Sequence, residues 1–456
     1  MSTPMDALPR PKTGRLLNVA RFAMSPLRSL EQWERLGEIV HVPMVGADFL
    51  LLTDPEQIGE MLLDRERNFV KDGYTRELGR VLGQGLLTSE GEVWRAHRQL
   101  AAHAFTPKRI KSYTEKMVAR GAALERRLRE GERIDLHRAM FEVTLEIVGD
   151  TLFDADVSGD AADVGHALEV ITEFFATSVE AYLRLPHSWK TPNVVRLDRA
   201  TQVVDRVLDR IIIERTASGR DHGDLLSALL KARDERGKGL SRRQLRDEAI
   251  TLFLAGHETT AITLANAFYL LARHPFERGK LERELDEVLG GKLPTADDVP
   301  RLQAADRIVT ETLRLYPTVW CMGREMAHDA ELFGVRIPKG TQVLGSQWLV
   351  HRSERFFEDA HRFVPDRWKD GLEKRLPKFA YFPFGGGARI CIGNHFAKLE
   401  AILLLATLAQ RVRFEVDRAE QLRFRPSVTL RPAKTIAATV ARRIPARRPE
   451  RDFARL

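Results

Sequence analysis

The stretch Phe384-Gly-Gly-Gly-Ala-Arg-Ile-Cys-Ile-Gly393 decides how the rest of this 456-residue chain is read. Its glycines free the backbone to turn tightly and let a bulky group approach closely. Arg389 supplies a fixed cation that can bind an anion and hold a nearby thiol ionised. Phe384 can lie against a flat, apolar partner. The run describes a loop that presents one sulfur, Cys391, to a large planar cofactor carrying carboxylates, and haem with an axial thiolate answers that description. The bland alternative is a turn before a helix with a buried cysteine, the ordinary state of a lone thiol.

Working outward, the same run resembles the signature of the cytochrome P-450 family, Phe-x-x-Gly-x-Arg-x-Cys-x-Gly. Phe384, Gly387, Arg389, Cys391 and Gly393 fill its fixed positions, and Ala397 fits the small residue that follows. The resemblance implies a haem b cofactor with Cys391 as its iron ligand, Phe384 against the sulfur and Arg389 paired with a propionate. Trp94-Arg-Ala-His-Arg98 resembles the family's Trp-x-x-x-Arg on an early helix, and Arg324 takes the place of a second propionate-binding arginine after Pro317. Trp94, Arg98, Arg324, Phe384, Arg389 and Cys391 are therefore the expected cofactor-binding set. His97 is expected at the surface, and Cys321 as a small buried hydrophobe.

Helical periodicity dominates the chain. Helices are expected at 56–66, 91–103, 109–128, 135–153, 161–185, 195–217, 242–273, 276–289, 303–316 and 394–410. Short strands are expected at 38–45, 48–53, 332–337, 341–344 and 412–416, each β-branched and bounded by turn residues. The reading is a mainly α protein with small peripheral β-sheets, and the resemblance implies the P-450 fold with a long central helix over the haem. That helix starts at a capping box, Ser241 with Gln244, and stops at His274-Pro275. Its length of about 32 residues spans roughly 48 Å. A membrane span is excluded by His257, Glu258, Thr259 and Thr260 at its centre, where ionisable groups in lipid are costly.

Within it, Ala255-Gly256-His257-Glu258-Thr259 sets an acid and an alcohol in an apolar helix. Glu258 projects from a row of Thr251, Leu254, Ile262 and Ala265; Thr259 shares a face with Leu252, Ala255, Gly256 and Thr263. Gly256 is expected to let a ligand or cofactor approach the backbone and to weaken the local ladder. For Thr259 the plain alternative is a bond to the carbonyl four residues back, and for Glu258 a salt bridge to an arginine. The segment is similar to the family's Ala/Gly-Gly-x-Asp/Glu-Thr stretch, and that similarity makes Glu258 and Thr259 the catalytic pair that delivers protons to oxygen. His257 reads as a packed or solvent-linked histidine.

Glu311 and Arg314 stand three apart on a helix closed by Pro317, by themselves a generic ion pair. They match the family's Glu-x-x-Arg element, and Phe363-Val-Pro-Asp-Arg367-Trp368 matches the segment that supplies a second arginine. The resemblance implies a buried Glu311–Arg314–Arg367 cluster locking the cysteine loop; Asp366, where relatives often have Glu, is a mild departure. It also places the substrate pocket among Phe69, Tyr74, Leu86, Leu87, Leu252, Phe253, Ala255, Thr318, Val319, Trp320, Val428 and Thr429. These are mostly apolar and offer no carboxylate clamp, so a medium or large hydrophobic substrate is expected: a fatty acid, terpenoid or polyketide.

Length alone would allow roughly three domains. Motifs of one site run from Trp94 to Cys391, so one unit over 26–441 is expected, with a 1–25 extension and a basic 442–456 tail. Two cysteines give no disulfide framework and fit a reducing cytoplasm. The first 25 residues lack the apolar run of a membrane anchor. The formal charge of +8 comes with no aromatic interleaving or nucleic-acid motif, so no nucleic-acid partner is expected. No flavin or iron–sulfur module is expected in the 65 residues after Cys391, which implies a separate ferredoxin or flavodoxin with its reductase, acidic enough to dock on a basic protein. The function so implied is monooxygenation of an apolar substrate with O2. The alternatives are a peroxide-using haem-thiolate enzyme, which often lacks the acid and alcohol, and a haem sensor without turnover.

Overall fold

The central helix begins where its cap requires. Gln244 N–H donates to the Ser241 hydroxyl at 3.3 Å, and Ser241 N–H donates to the Gln244 side chain at 2.9 Å. The helix runs unbroken over Arg242–Arg273, and Pro275 opens the next one, Pro275–Val288. The computed structural model describes residues 3–445 apart from 65–66, 178–187, 232, 234–236, 238, 418 and 420. From Ala249 to Phe253 and from Thr260 to Leu271 the central helix is buried all round. Helix Leu136–Leu152 lies along it. They pack together at Gly256, where a Cβ would meet Val148 at 3.1 Å. The shown role of that glycine is thus helix–helix packing, and the helical ladder continues through it.

Helices at Gly91–Ala102, Pro107–Arg127, Leu136–Leu152, Pro192–Ser218, Pro275–Val288, Gln303–Leu315 and Asn394–Ala409 match the expected ones. Expected starts at 56, 109, 195 and 276 fall slightly late, because the helices open on Pro55, Pro107, Pro192 and Pro275. Proline at the first helical position sacrifices an N–H that has no partner there anyway. Helices Pro55–Leu63 and Ala161–Thr177 stand where 56–66 and 161–185 were expected; positions 65–66 and 178–185 lie outside the described residues.

The expected strand 332–337 is instead a hairpin, Ala330–Leu332 against Val335–Ile337. It folds at Phe333 and Gly334, whose φ values of 56° and 69° are left-handed. Thr3–Pro4 pairs in parallel with Val335 and Arg336, and two helices, Arg15–Met24 and Pro26–Glu34, follow. The largest sheet has five strands in the order Ile39–Val42, Phe49–Leu52, Gln342–Gly345, Met322–Met326, Phe69–Lys71. Its last two members, unread in the sequence because Arg324 and Lys71 interrupt their apolar pattern, carry those two cations to the site. No helix of the described residues is long and apolar enough to cross a membrane.

Candidate active site

The cysteine loop is held by contacts that only glycine permits. Gly385 and Gly387 have φ of 73° and 64°. A Cβ on Gly387 would run into the Leu62 carbonyl, and one on Gly386 into the Phe379 ring. That ring also touches Gly59, at 2.6 Å from a would-be Cβ, so Phe379 is a wedge between helix Pro55–Leu63 and the loop. Cys391 N–H donates to Phe384 C=O at 3.0 Å, which closes the turn and sets the half-buried Phe384 beside the cysteine. Helix Asn394–Ala409 starts immediately after.

Beneath the loop lies the expected scaffold. Arg314 donates to both Glu311 oxygens at 2.9 Å, and Arg367 Nε donates to Glu311 at 3.0 Å. Trp368 Nε1 at 2.8 Å and Val364 N–H at 2.9 Å complete a carboxylate with five donors. Arg314, with no exposed surface, spends its remaining N–H groups on the carbonyls of His351, Ala360 and Arg362. His351 in turn accepts from Phe382 N–H at 2.9 Å, two residues before Phe384. Burial, with help from Arg314, depresses this histidine to about 3, so it stays a neutral acceptor.

Cys391 has accessible surface yet sits deep in the molecule, so that surface faces the interior. Burial raises its thiol above the ordinary value, against the Gly393 N–H and the Arg98 charge. The protein alone therefore does not ionise it; a bound cation would. Among the described residues no cluster of three or more His, Cys, Asp or Glu could hold a metal ion, so a metal at Cys391 would bring its other ligands with it.

The cations needed for such a ligand's carboxylates are present and crowded. Lys71 and Arg324 stand directly opposite on paired strands, both buried. Burial lowers Arg324, and burial together with Arg324 and Arg389 takes Lys71 down to about 7. Arg389 donates to Ser89 C=O at 2.9 Å, pairs with Glu90 and lies 4.0 Å over the Trp94 ring. Its guanidinium is lowered to about 10 by burial, with Arg324 and Arg98 adding to the effect. Like charges opposed across a ladder are unfavourable, and Asp72, Glu90 and Asp64 offset three of the four cations Lys71, Arg98, Arg324 and Arg389. A planar group bearing two carboxylates fits this surplus. Lys71 and Glu90 escaped the sequence reading, since neither lies in a recognisable motif.

His97 is buried rather than superficial, its Nδ1 2.6 Å from Glu248 on the central helix. Cys321 is only partly buried by surface but deep, its thiol pushed up to about 12 by burial. His257 is packed: no exposed surface, Nδ1 2.6 Å from Phe253 C=O, ring edge against Phe141 at 4.8 Å, and lowered to about 4 by burial.

In the middle of the buried central helix Ala255 is exposed and Gly256 and Thr259 half-exposed, so this face looks onto an internal space. Thr259 Oγ1 donates to Ala255 C=O at 3.0 Å, the plain alternative read from the sequence. Glu258 also takes its plain alternative: it pairs with Arg431 and accepts from Thr429 Oγ1 at 2.7 Å. Burial pushes this carboxyl up, but Arg431 and the bonds from Arg431 and Thr429 outweigh it and hold it below the usual range. Arg431 was missed because it lies on Leu430–Pro432, far along the chain, and pairs with Phe424–Pro426.

A family model described as cytochrome P450 matches residues 4–439. The chain is 35% identical to a cyclooctat-9-en-7-ol 5-monooxygenase of Streptomyces melanosporofaciens, over 85% of each protein. It is 34% identical to cyclooctatin synthase of the same organism, over 92% of each. It is also 34% identical to pentalenene oxygenase of Streptomyces avermitilis, over 86% of this chain and 87% of the relative. With the cysteine loop, its buried scaffold and these matches together, the chain belongs to the cytochrome P450 family and is a haem-thiolate monooxygenase acting on an apolar substrate.

Proposed function

We propose that this enzyme oxygenates a terpenoid, with haem b on Cys391 and protons delivered through Glu258 and Thr259. The observation that carries the reading is the accessible face of Ala255 and Thr259 in a helix otherwise buried, within a fold that also turns the Cys391 surface inward. When bound, haem supplies the reduction of O2, which a thiolate ligand biases toward O–O cleavage. Phe384 would shield the sulfur, while Trp94, Arg98, Arg324 and Arg389 would orient the cofactor through its carboxylates. The terpenoid assignment draws on the names of the relatives and on the apolar lining.

Glu258 is held as a carboxylate, so it serves as a proton carrier rather than a standing acid. It takes a proton at Oε1 when its bond to Arg431 loosens and hands it toward Thr259 Oγ1, whose bond to Ala255 C=O holds the hydroxyl in place. The catalytic unit read as 26–441 takes in the preceding segment as well, since Thr3–Pro4 pairs with Val335 and Arg336, and we place the enzyme in the cytoplasm. Electrons come from a separate ferredoxin or flavodoxin with its reductase, drawn to the basic surface. Reduction by an acidic ferredoxin should slow as salt rises; a rate indifferent to salt counts against that partner.

The deciding experiment is a reduced carbon monoxide difference spectrum of the purified holoprotein. A strongly red-shifted band is expected, and Cys391→Ser should remove it; an ordinary histidine-haem spectrum in the wild type would overturn the reading. For the relay, Thr259→Ala should retain haem and substrate binding while diverting electrons to hydrogen peroxide. Unchanged coupling of electron use to product would dismiss Thr259 as a relay.

A further inference from the structure

Helix Arg15–Met24 is apolar on two sides. Its inner side is anchored: the buried Asn18 donates to Pro43 C=O at 2.9 Å, and the Phe22 ring stacks on Trp33 with 5.7 Å between centroids. Arg15 donates to Met44 C=O at 2.7 Å and pairs with Asp48. The helix is thereby tied to the turn between strands Ile39–Val42 and Phe49–Leu52. Its outer side is bare. Leu16 and Met24 are 78% and 77% exposed and Leu17 46%, and Ala20 is exposed as well. Helical spacing sets Leu16, Ala20 and Met24 in one row with Leu17 beside it. Val45, on the turn to which the helix is tied, adds a further exposed apolar side chain.

A contiguous apolar row facing water marks a surface that meets something else. Its charge says what. From Ala7 to Leu30 the chain holds five cations and no carboxylate. Arg15 is matched by Asp48, whereas Arg10, Lys12, Arg21 and Arg28 are exposed and have no ion-pair partner among the described residues. A second copy of the chain would bring the same cations to the same place, and they would repel. Lipid with anionic headgroups suits both halves of the surface. Its acyl boundary takes the apolar row, and its phosphates take the guanidinium and ammonium groups. At ten residues the helix is far too short to span a bilayer, so it would lie along one.

We propose that helix Arg15–Met24 docks the enzyme on an anionic membrane surface, with Leu16, Leu17 and Met24 in the acyl boundary and Arg10, Lys12, Arg21 and Arg28 on the headgroups. The attachment is peripheral and reversible. On the oxygenase reading, an apolar substrate partitions into the same lipid, so docking brings the enzyme to it.

The test is co-sedimentation of the full-length holoenzyme with vesicles of phosphatidylcholine alone and of phosphatidylcholine mixed with phosphatidylglycerol. Binding should favour the anionic vesicles and weaken as salt rises. The triple change Leu16→Gln, Leu17→Gln, Met24→Gln should cut the partition coefficient about tenfold or more. Arg21→Gln and Arg28→Gln should each cut it about fivefold. These side chains are exposed, so the urea midpoints should match the wild type and certify the fold. The proposal falls if the protein binds neither kind of vesicle, if it binds both alike, or if the triple change leaves binding intact. It falls too if the triple change splits a dimer in ultracentrifugation, or slows reduction by an acidic ferredoxin with vesicle binding unaltered; the face would then belong to a second copy or to that protein. A missing thiolate band with carbon monoxide would fault the oxygenase reading and leave vesicle binding untouched.

Discussion

Glu258 shows how one side chain can satisfy a plain structural reading and keep a chemical role. Its carboxylate is buried, and Arg431 with Thr429 neutralises it in place. Removing one partner of such a pair strands the other charge, which typically costs about 3 kcal/mol or more. Arg431→Met should therefore lower stability by about that amount in urea melts, and coupling should worsen as Glu258 becomes protonated. The double change Arg431→Met with Glu258→Gln should recover much of the stability but not the coupling. Recovery of both would reduce the pair to packing. At this scale the sequence was half legible: the acid and alcohol were visible as an interruption of an apolar helix, and Thr429 was placed at the pocket. Arg431 was not visible, because a salt bridge across 173 positions leaves no periodic trace.

Among the elements, helix Gln303–Leu315 carries the scaffold. Its Glu311 ties Arg367, Trp368 and Val364 to the helix, and Arg314 reaches back to three carbonyls of the 351–362 segment. Glu311→Ala would leave the fully buried Arg314 without its carboxylate, a loss of about 3–5 kcal/mol. The expected outcome is a lower urea midpoint together with poor haem retention, read as the haem-to-protein absorbance ratio. A variant of normal stability and normal haem content would refute the locking role. Long helices were legible because periodicity and caps are local signals. The strands Phe69–Lys71 and Met322–Met326 were not, since their place is set by pairing with distant partners and their cations mask any alternation. The 332–337 segment was misjudged by giving β-branched residues more weight than Gly334.

Across the whole molecule, His257 and His351 couple stability to pH. Both are buried neutral, at about 4 and about 3 against an ordinary 6.5. Between 6.5 and 4 the unfolded chain binds protons that the native state refuses, so stability falls as pH falls. The slope from this pair approaches about 2.7 kcal/mol per pH unit below 6.5, from about 1.36 for each group. Urea melts between pH 7 and 5 check this, and a flat profile would contradict it. Below that window protonation of His351 would also cut its bond to Phe382, so the cysteine loop should release haem before the helices melt, seen as Soret loss preceding the far-ultraviolet change. The Phe379 wedge has a different consequence, for protein engineering. The ten-residue cysteine loop is not a portable cassette, because its shape is cast by Gly59, Leu62 and Phe379. A chimera that swaps the loop alone should fold poorly, while one that carries these three positions along should not; the heritable unit of the site is discontinuous.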